Sequence, residues 1–478
     1  MRILFILILV LLFKISAFGQ KEITINFTGQ INFGHKNDIT QQANIPKDTI
    51  SFFKNVNHIT NDGNPTFTTI GTILIDKINS KNRIPLSKNA VCATSDHAKT
   101  LYDNGFIAIN SSNKNIGAYG FEGLASTADA LRKSSIKFAG IRSFCESTTI
   151  NHKGLKIGFA SFGNTSYSPS INDSIKIVQT VNKLDSECDI VIIAFSIDNE
   201  SSTYSNTTNK KSPYLNLAEK FAKISIDAGA DIVYGDGENT PQGLELYNER
   251  LIIYGLGNFC TPTTNRYNND TKCAPIISAK MYSNGTFHNA QIHSFIQQNR
   301  LGPIPDKEKN AVRIIKEKTF AIDNESNLKI NEDGGVEPTI KSNTTLAFEV
   351  LNEGRTHIGK RYRRGAVGPD IFDCSGFTCY IFNKIGIKLN RTSESQYQQG
   401  IKVNSNELKP GDLVFFRGST SRRIGHVGVV VSIDKENKSF KFLHASNRGV
   451  IIDDFAKSSY YIRRYVGATR VIGNINNK

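Results

Sequence analysis

The sequence predicts two domains of different fold class, an α/β domain followed by an α+β domain. Between residues 23 and about 293, short β-forming runs such as DIVIIAFS and DIVYGDG alternate with helical patterns such as LNLAEKFAKISIDAGA. Strands separated by helices predict an α/β sheet flanked by helices. After residue 345, helical patterns are followed by the β-forming runs DLVFF, HVGVVVSI, SFKFLHAS and YVGATRVI, which predict an antiparallel sheet. A length of 478 residues is compatible with two or three domains of about 150 residues each.

The patterns divide the chain into segments. The first resembles a secretory signal, with Arg2, an apolar run over 3–13 and small residues before a cleavage point near Gly19. The apolar run is shorter than the roughly 20 residues that a bilayer requires. We therefore expect signal cleavage, export to the periplasm or the medium, and no stable membrane insertion afterwards. The predicted segments are a signal peptide at 1–19, an α/β domain at 20–298, a polar peripheral segment and linker at 299–344, and an α+β domain at 345–478.

Basic residues outnumber acidic ones, with 58 Lys and Arg against 43 Asp and Glu, and the formal net charge is +15. Such a charge implies attraction to polyanions. An anionic polymer of the cell envelope and a simply solvated basic surface both fit an exported protein. RGG tracts, zinc-knuckle spacings and basic repeats are missing from the sequence, so we expect no nucleic-acid partner. The seven cysteines have irregular spacings that define no disulfide framework.

The stretch FDCSGF at 372–377 contains the first candidate for catalysis. Asp373 and Ser375 are residue types that cap helices, and apolar residues at helical spacing begin just after them. Cys374 is therefore predicted in the first turn of a helix. There the helix dipole and the free backbone N–H groups favour a thiolate and can hold an oxyanion. A lone Cys in a helix is more often a packing residue, so catalysis requires partners.

Two histidines downstream supply such partners. His426 lies in IGHVGVVVSI, and His444 lies in KFLHAS, the next β-forming run. Histidines on adjacent strands can provide a base for the thiol and an orienting partner for that base. Both stand close to glycine or small residues, which leave room for a substrate. The sequence thus favours a nucleophilic cysteine over a buried filler at position 374.

A set of short motifs follows in order along the C-terminal region. They are YRRG at 362–365, FDCSGF at 372–377, NRTSESQY at 390–397, LKPGDLVFF at 408–416, GHVGVVV at 425–431 and LHAS at 443–446. On these motifs, residues from about 345 to 475 resemble the NlpC/P60 family of cell-wall peptidases. The resemblance implies a papain-like fold in which Cys374 is the nucleophile, His426 the base and His444 the third, orienting residue. It also implies hydrolysis of peptidoglycan stem peptides at a γ-D-glutamyl-diamino acid bond, without a cofactor.

The same resemblance suggests substrate-binding residues. Tyr362, Asp373 and Ser375 fall where family members hold the free amine and the first residues of the stem peptide. A carboxylate at Asp373 can pair with an ammonium group, but the residue can equally be a helix N-cap. Arg391 can be a structural cation or a contact for a stem carboxylate, and we favour the structural role.

A second set of segments lies between about 23 and 290. The segments are FTGQINFG at 27–34, NSSNKNIGAYGFEGL at 110–124, DIVIIAFSIDNE at 189–200 and AGADIVYGDGENTPQGLELYNERLIIYGLGNF at 228–259. They resemble the CapA family, which is linked to poly-γ-glutamate capsule synthesis. The resemblance implies the α/β sandwich architecture of metallophosphoesterases.

The metal-type residues of that family are replaced in this chain. The replacing residues are Gln30, Lys114, Ser196, Gly237 and Asn239. A dinuclear site needs several converging carboxylates and imidazoles, so we expect no metal and no hydrolysis by this domain. The remaining residues of metal-binding type rebuild no recognisable ligand set; they include His35, His97, Asp198, Asp236 and Glu238. A degenerate scaffold that binds a wall or capsule polymer is the interpretation that we favour.

Three functions remain open from the sequence. The first is an exported cysteine endopeptidase acting on peptidoglycan stems. The second is a polymer-binding envelope protein in which the peptidase domain is auxiliary. The third is acyl transfer to an amine by the same cysteine. For an ionised Cys374 and His426 pair, activity should fall on the acid side of the range from roughly pH 5 to 8.

Overall fold

The computed structural model describes residues 22–32, 35–36, 50–76, 91–197, 212–261, 268–298, 302–322, 327–339, 343–419, 422–434 and 439–473. The predicted signal at 1–19 lies outside these residues. The chain divides into an N-terminal unit, Lys21–Ile340, and a C-terminal unit, Lys341–Lys478. In the part of the chain that the structure describes, no helix is both long and apolar enough to cross a bilayer.

The N-terminal unit alternates strands with helices, as its sequence predicts. The strands of its described residues are β1 (Glu22–Ile31), β2 (His35–Lys36), β3 (Thr66–Ile70), β4 (Ile73–Leu74), β5 (Val91–Ala93), β6 (Phe106–Asn110), β7 (Lys137–Ala139), β8 (Ser147–His152), β9 (Leu155–Gly163), β10 (Ile190–Ser196), β11 (Ile232–Asp236), β12 (Leu244–Tyr247), β13 (Arg250–Ile253), β14 (Asn258–Cys260), β15 (Ile276–Tyr282), β16 (Phe287–His293), β17 (Phe295–Gln298), β18 (Gly302–Pro305), β19 (Leu328–Ile330) and β20 (Gly335–Pro338). The helices are α1 (Ile50–Phe53), α2 (Asn57–Thr60), α3 (Asp96–Asp103), α4 (Gly120–Lys133), α5 (Ser174–Glu187), α6 (Pro213–Asp227) and α7 (Asn310–Ile322).

The longer strands divide between two sheets. The larger sheet has the order β19-β20-β16-β15-β1-β3-β6-β7, and β14 also pairs with β1. The second sheet has the order β12-β13-β11-β10-β9-β8. Its central strands β9, β10, β11 and β13 are parallel, which explains why their sequences are continuous apolar runs.

Apolar side chains from both sheets form one core between them. The Phe67 ring lies 5.2 Å from the ring of Phe159, and Tyr234 lies 5.1 Å from Phe27. Helices α3 and α4 cover the outer face of the larger sheet, and α5 and α6 cover the outer face of the second. The predicted α/β sandwich is therefore confirmed, although the strands form two sheets and not one flanked sheet.

Most of the segment 299–344, which we interpreted as a peripheral linker, belongs to the N-terminal unit, which extends to Ile340. It contains β18, α7, β19 and β20, and the last two strands extend the larger sheet. The α7 side chains of Val312 and Ile315 are buried in the core between the sheets. The polar composition of this segment comes from the solvent face of an amphipathic helix, so composition alone was misleading.

This packing predicts a difference between two substitutions in α7. Ile315 is completely buried, so Ile315→Ala should lower the free energy of unfolding of the N-terminal unit by about 2–5 kcal/mol. Phe320 on the same helix is 62% exposed, and Phe320→Ala should change that free energy by less than about 0.5 kcal/mol. Urea unfolding followed by intrinsic fluorescence measures both. Equal effects of the two substitutions would show that α7 is peripheral.

The C-terminal unit has helices on an antiparallel sheet. Its described elements are α8 (Asn343–Thr356), β21 (Arg361–Tyr362), β22 (Ile371–Phe372), α9 (Cys374–Asn383), α10 (Ser393–Gln399), β23 (Ile401–Val403), β24 (Leu413–Arg417), β25 (Ile424–Asp434), β26 (Ser439–Ser446), β27 (Gly449–Asp454), α11 (Ser459–Ile462) and β28 (Tyr465–Arg470). The sheet has the order β23-β28-β24-β25-β26-β27. Every pair in it is antiparallel, which confirms the predicted α+β class.

Helix α9 packs on the middle of this sheet. Phe377 and Ile381 of the helix are fully buried with Val427, Val429 and Leu443 of β25 and β26. The helix N-terminus is thereby held beside β25, the strand that carries His426. The sequence did not predict β27, which forms the edge of the sheet next to β26.

Candidate active site

Helix α9 begins at Cys374 because Asp373 caps its N-terminus. Asp373 has an extended backbone, and its Oδ1 accepts a hydrogen bond from the N–H of Gly376 at 2.6 Å. A Cβ on Gly376 would lie 2.2 Å from the carbonyl oxygen of Ala366, so this turn requires glycine. The predicted position of Cys374 in the first turn of a helix is confirmed.

Asp373 also forms an ion pair with Arg391. The guanidinium is bidentate, with Nη2 at 2.7 Å from Oδ2 and Nη1 at 3.1 Å from Oδ1. The N–H of Gly365 donates to Oδ2 at 2.8 Å. Burial raises the pKa of Asp373, but the hydrogen bonds from Arg391 and Gly376 outweigh burial and leave the pKa below its ordinary value. Arg391 therefore has a structural contact, which agrees with the role we favoured.

These donors leave little capacity for a substrate ammonium group at Asp373. A carboxylate has about four lone-pair sites, and the N–H groups of Gly376 and Gly365 and the two arms of Arg391 use that number. Ser375 is buried, and its Oγ accepts a hydrogen bond from Arg391 Nη1 at 3.0 Å. The contacts support the helix cap, and amine binding by Asp373 stays a prediction. Asp373 and Ser375 lie in one hydrogen-bonded network with Arg391.

The sulfur of Cys374 lies against the backbone of strand β25, next to the residues that flank His426. Its Sγ is 3.9 Å from the carbonyl oxygen of Gly425, the residue before His426. The backbone N–H groups of Val427, the residue after His426, and of Ser375 are within hydrogen-bonding reach of the sulfur. Cys374 is only 8% exposed. The packing of α9 on β25 therefore places the sulfur against the backbone of the two residues that flank His426.

A chain of hydrogen bonds continues from His426 into the sheet. His426 Nε2 lies 2.8 Å from His444 Nδ1, and His444 Nε2 lies 3.0 Å from Asp453 Oδ2. The two imidazole planes are nearly perpendicular, at 87°. Arg448 Nη2 donates to the same carboxylate oxygen of Asp453. Both predicted histidines thus lie in one relay, which ends in an acidic residue on β27.

The hydrogen bonds assign the tautomers of both histidines. An ionised carboxylate only accepts, so the proton on His444 is at Nε2, towards Asp453. His444 Nδ1 then carries a lone pair and accepts the Nε2–H of His426. Consequently Nδ1 of His426 carries the lone pair that can accept a proton.

Burial determines the charge of this site. It raises the pKa of the Cys374 thiol, and the nearby Asp373 carboxylate adds to the effect. Burial lowers the pKa of His426 to about 3, although that residue is partly exposed. Burial also lowers the pKa of His444. We therefore describe the resting pair as a neutral thiol and a neutral imidazole. The direction of the Cys374 pKa opposes the thiolate that the helix terminus led us to expect, because a position at a helix terminus does not reveal burial.

Aromatic side chains enclose the relay. The Tyr461 ring stacks against His426, with ring centres 5.7 Å apart, and Phe416 packs on Tyr461 at 4.8 Å. Tyr362 is half-buried; burial raises its pKa, and the proximity of Cys374 raises it further. Tyr362 thus lies near the cysteine, as the sequence led us to expect.

Asp453 and Arg448 were missed by reasoning from the sequence. The signal that could have found them is the short stretch NRG at 447–449, which ends β26 and starts β27. In the resulting hairpin, Asp453 pairs with Phe442, two residues from His444 on the same face. Diagonal cross-strand neighbours can interact, so an acidic residue at this spacing can reach the histidine.

In the N-terminal unit, the residues that replace metal-type residues form a network of amides and hydroxyls. Asn113 Nδ2 donates to Gln30 Oε1 at 3.0 Å and to Asp236 Oδ2 at 2.8 Å. Ser196 Oγ donates to the same Asp236 oxygen at 3.2 Å. Asp236 is 3% exposed, and burial raises its pKa to about 6. One carboxylate held by amide and hydroxyl donors does not fit a dinuclear metal centre, which needs several carboxylates and imidazoles.

Asn239 also belongs to this network. Gln30 Nε2 donates to Asn32 Oδ1 at 2.7 Å, Asn32 Nδ2 donates to Asn258 Oδ1 at 3.5 Å, and Asn258 Nδ2 donates to Asn239 Oδ1 at 3.0 Å. His97 is on α3, where its Nδ1 contacts Thr94. The side chain of His35 and all of Asp198 lie outside the described residues. Among the residues that the structure describes, no three His, Cys, Asp or Glu side chains are close enough to hold a metal ion.

The chain thus has two domains, an α/β sandwich and an α+β domain that carries a cysteine at a helix N-terminus and a relay of two histidines and an aspartate. The chain belongs to the family of the bacterial capsule synthesis protein PGA_cap, which matches residues 24–263, and it carries an NlpC/P60 family domain at residues 359–470.

Curated relatives match the C-terminal domain. The probable endopeptidase p60 of Listeria grayi is 37% identical over 116 residues, which are 24% of this chain and 21% of that protein. The gamma-DL-glutamyl hydrolase of Bacillus subtilis is 34% identical over 126 residues, which are 26% of this chain and 29% of that protein. The chain thus spans between about a fifth and a third of the length of these relatives.

Two solved structures are among those to which the chain is similar. An NlpC/P60 family protein from Bacillus cereus is 26% identical, with a TM-score of 0.24, over 30% of this chain and 50% of that one. A phosphatase from Mycoplasma pneumoniae is 12% identical, with a TM-score of 0.37, over 60% of this chain and 96% of that one.

The raised pKa of Cys374 predicts how its alkylation depends on pH. Because only the thiolate reacts, the rate of iodoacetamide labelling at Cys374 should rise about tenfold per pH unit through pH 8. Mass spectrometry of the tryptic peptide measures the rate, in a Cys379→Ala protein that lacks the neighbouring thiol. A rate that is already level between about pH 5 and 8 would show a thiolate–imidazolium pair and contradict the neutral site.

Proposed function

We propose that the protein is an exported cysteine endopeptidase that hydrolyses peptide stems of bacterial peptidoglycan at a γ-D-glutamyl-diamino acid bond. The observation that carries the proposal is the hydrogen-bonded pair of His426 and His444, with His426 on the strand whose backbone contacts the sulfur of Cys374 at the N-terminus of α9. The similarity of the C-terminal domain to a probable endopeptidase supports the same reaction. We assign Cys374 as the nucleophile, His426 as the base and His444 as the orienting residue.

The first half of the reaction forms a thioester. His426 Nδ1 accepts the thiol proton while Cys374 Sγ bonds to the carbonyl carbon of the scissile amide. The carbonyl oxygen becomes an oxyanion, which backbone N–H groups in the first turn of α9 can hold. The imidazolium of His426 then gives its proton to the amide nitrogen, the carbon–nitrogen bond breaks, and the new amine leaves.

The second half resolves the thioester. Water attacks the carbonyl carbon and loses a proton to His426, and the carbon–sulfur bond breaks to release the acid product. The proton returns from His426 to Cys374 Sγ, so the enzyme is regenerated as a neutral pair. An amine in place of water would give the acyl transfer considered above, and the masses of the products distinguish the two outcomes.

We assign substrate recognition to residues around Cys374. Tyr362 is close to the nucleophile and remains our candidate for contact with the stem peptide. Asp373 and Ser375 belong to the network that fixes the start of α9, and they remain candidates for contact with the stem peptide. The N-terminal unit is assigned a non-catalytic role, in which binding of an envelope polymer raises the local concentration of substrate for the peptidase.

A second candidate substrate is an anionic γ-glutamyl polymer. Residues 341–478 contain 23 Lys and Arg against 11 Asp and Glu, so this unit carries +12 of the total charge of +15. A basic domain attracts a chain of free carboxylates. The similarity to a gamma-DL-glutamyl hydrolase favours the same bond type in a different polymer.

Paired cysteine substitutions test the proposal. Cys374→Ala should reduce cleavage of purified muropeptides by about 10³-fold or more, because it removes the attacking atom. Cys379→Ala is the matched control, since Cys379 is on the same helix with its Sγ 3.6 Å from the carbonyl of Leu389, and its activity should stay within about twofold. Mass spectrometry identifies the products, and a poly-γ-glutamate digest run in parallel identifies the preferred polymer.

Undiminished cleavage by Cys374→Ala contradicts the assigned nucleophile. Cleavage of poly-γ-glutamate but not of muropeptides favours the second candidate. Binding of isolated cell walls without cleavage of either substrate favours the alternative in which the peptidase domain is auxiliary.

A further inference from the structure

Asp453 lies directly behind the second histidine of the relay. Its side chain is 15% exposed, whereas the side chain of His444 is fully buried. Its Oδ2 is 3.0 Å from His444 Nε2 and also accepts a hydrogen bond from the exposed guanidinium of Arg448. The carboxylate is thus held between a buried imidazole on its inner side and a cation on its outer side.

The direction in which each hydrogen bond of the relay is donated depends on this carboxylate. A pair of imidazoles can share one hydrogen bond in either direction, because each ring nitrogen can donate or accept. If His444 donated from Nδ1 to His426 Nε2, the proton of neutral His426 would be on Nδ1. His426 would then present an N–H to the cysteine and could not take the thiol proton.

We propose that Asp453 is a positioning residue that fixes the tautomers of both histidines and so keeps the basic nitrogen of His426 available to Cys374. The inference deepens the proposed function and rests on it. An ionised carboxylate accepts only, so it draws the His444 proton to Nε2 and leaves Nδ1 as the acceptor for His426. The same logic governs the buried Asp of a serine-protease triad, which holds its histidine in the correct tautomer.

Asp453 also stabilises the charge that forms during the reaction. When His426 takes the thiol proton, the relay becomes cationic, and a negative charge at hydrogen-bond distance from His444 offsets this charge. The titratable groups that face His444 are His426 from β25, Tyr461 from α11, whose hydroxyl is 3.5 Å from Nδ1, and Asp453 with Arg448 from the hairpin. Among these described neighbours, Asp453 provides the carboxylate.

The next residue provides a matched control. Asp454 is on the same strand but points away from His444; its Oδ1 accepts the N–H of Ala456 at 3.1 Å and caps the short 3-10 helix Phe455–Lys457. Asp453→Ala and Asp454→Ala therefore remove the same atoms from adjacent positions. Asp453→Asn removes the charge and can turn either its oxygen or its NH₂ group towards His444, so it no longer fixes the tautomer.

The test measures kcat and KM of the full chain on the polymer that the wild type cleaves. Asp453→Ala should lower kcat by about tenfold or more and leave KM within about twofold, because it acts on the base and not on binding. Sodium formate should restore part of the lost kcat by filling the vacated carboxylate position, whereas chloride at equal ionic strength should not. Asp454→Ala should keep wild-type kcat and show no response to formate.

The possible outcomes separate the inference from the function on which it rests. Wild-type kcat in Asp453→Ala, or a loss that formate leaves unchanged, overturns the inference while cleavage by the wild type upholds the proposed function. If Asp453→Ala fails to fold, Asp453→Asn decides: a reduced kcat at unchanged KM supports the inference, and a wild-type kcat overturns it. A wild-type protein that cleaves neither polymer overturns both.

Discussion

The hydrogen bond between the imidazoles of His426 and His444 is the contact on which the rest of the site depends. It requires β25 and β26 to be paired in one register, so that both rings lie on the same side of the sheet within hydrogen-bonding distance. A register shift of one residue would turn one of the rings to the other face of the sheet. The buried contacts of α9 with β25 and β26 therefore stabilise the relay as well as the fold.

The hydrogen bonding of buried polar groups differs between the two units. In the N-terminal unit, Asn113, Gln30 and Ser196 surround Asp236 and use its hydrogen-bonding capacity internally. In the C-terminal unit, the hydrogen-bonded relay ends at His426, and we assign one nitrogen of that ring to proton transfer. The first arrangement suits a rigid scaffold, and the second suits proton transfer, because a buried neutral pair can move a proton without prior ionisation.

The sequence was sufficient for the features that depend on local order. The motif around Cys374 predicted a helix start, and the spacing of His426 and His444 predicted two adjacent strands. Features that depend on tertiary packing could not be predicted from the sequence. Burial reversed the expected direction of the Cys374 pKa, and the cross-strand register placed Asp453 next to His444. The segment with α7 was misjudged because its buried face is a minority of its residues.

The most direct measurement is the ¹⁵N–¹H correlation spectrum of histidine-labelled protein at pH 7, with His426→Gln and His444→Gln spectra for assignment. The account predicts that His426 and His444 are both neutral and are both protonated at Nε2, so that Nδ1 of His426 is bare. A proton on Nδ1 of His426, in a neutral or a cationic ring, would contradict the central claim that the relay directs a free base to the cysteine.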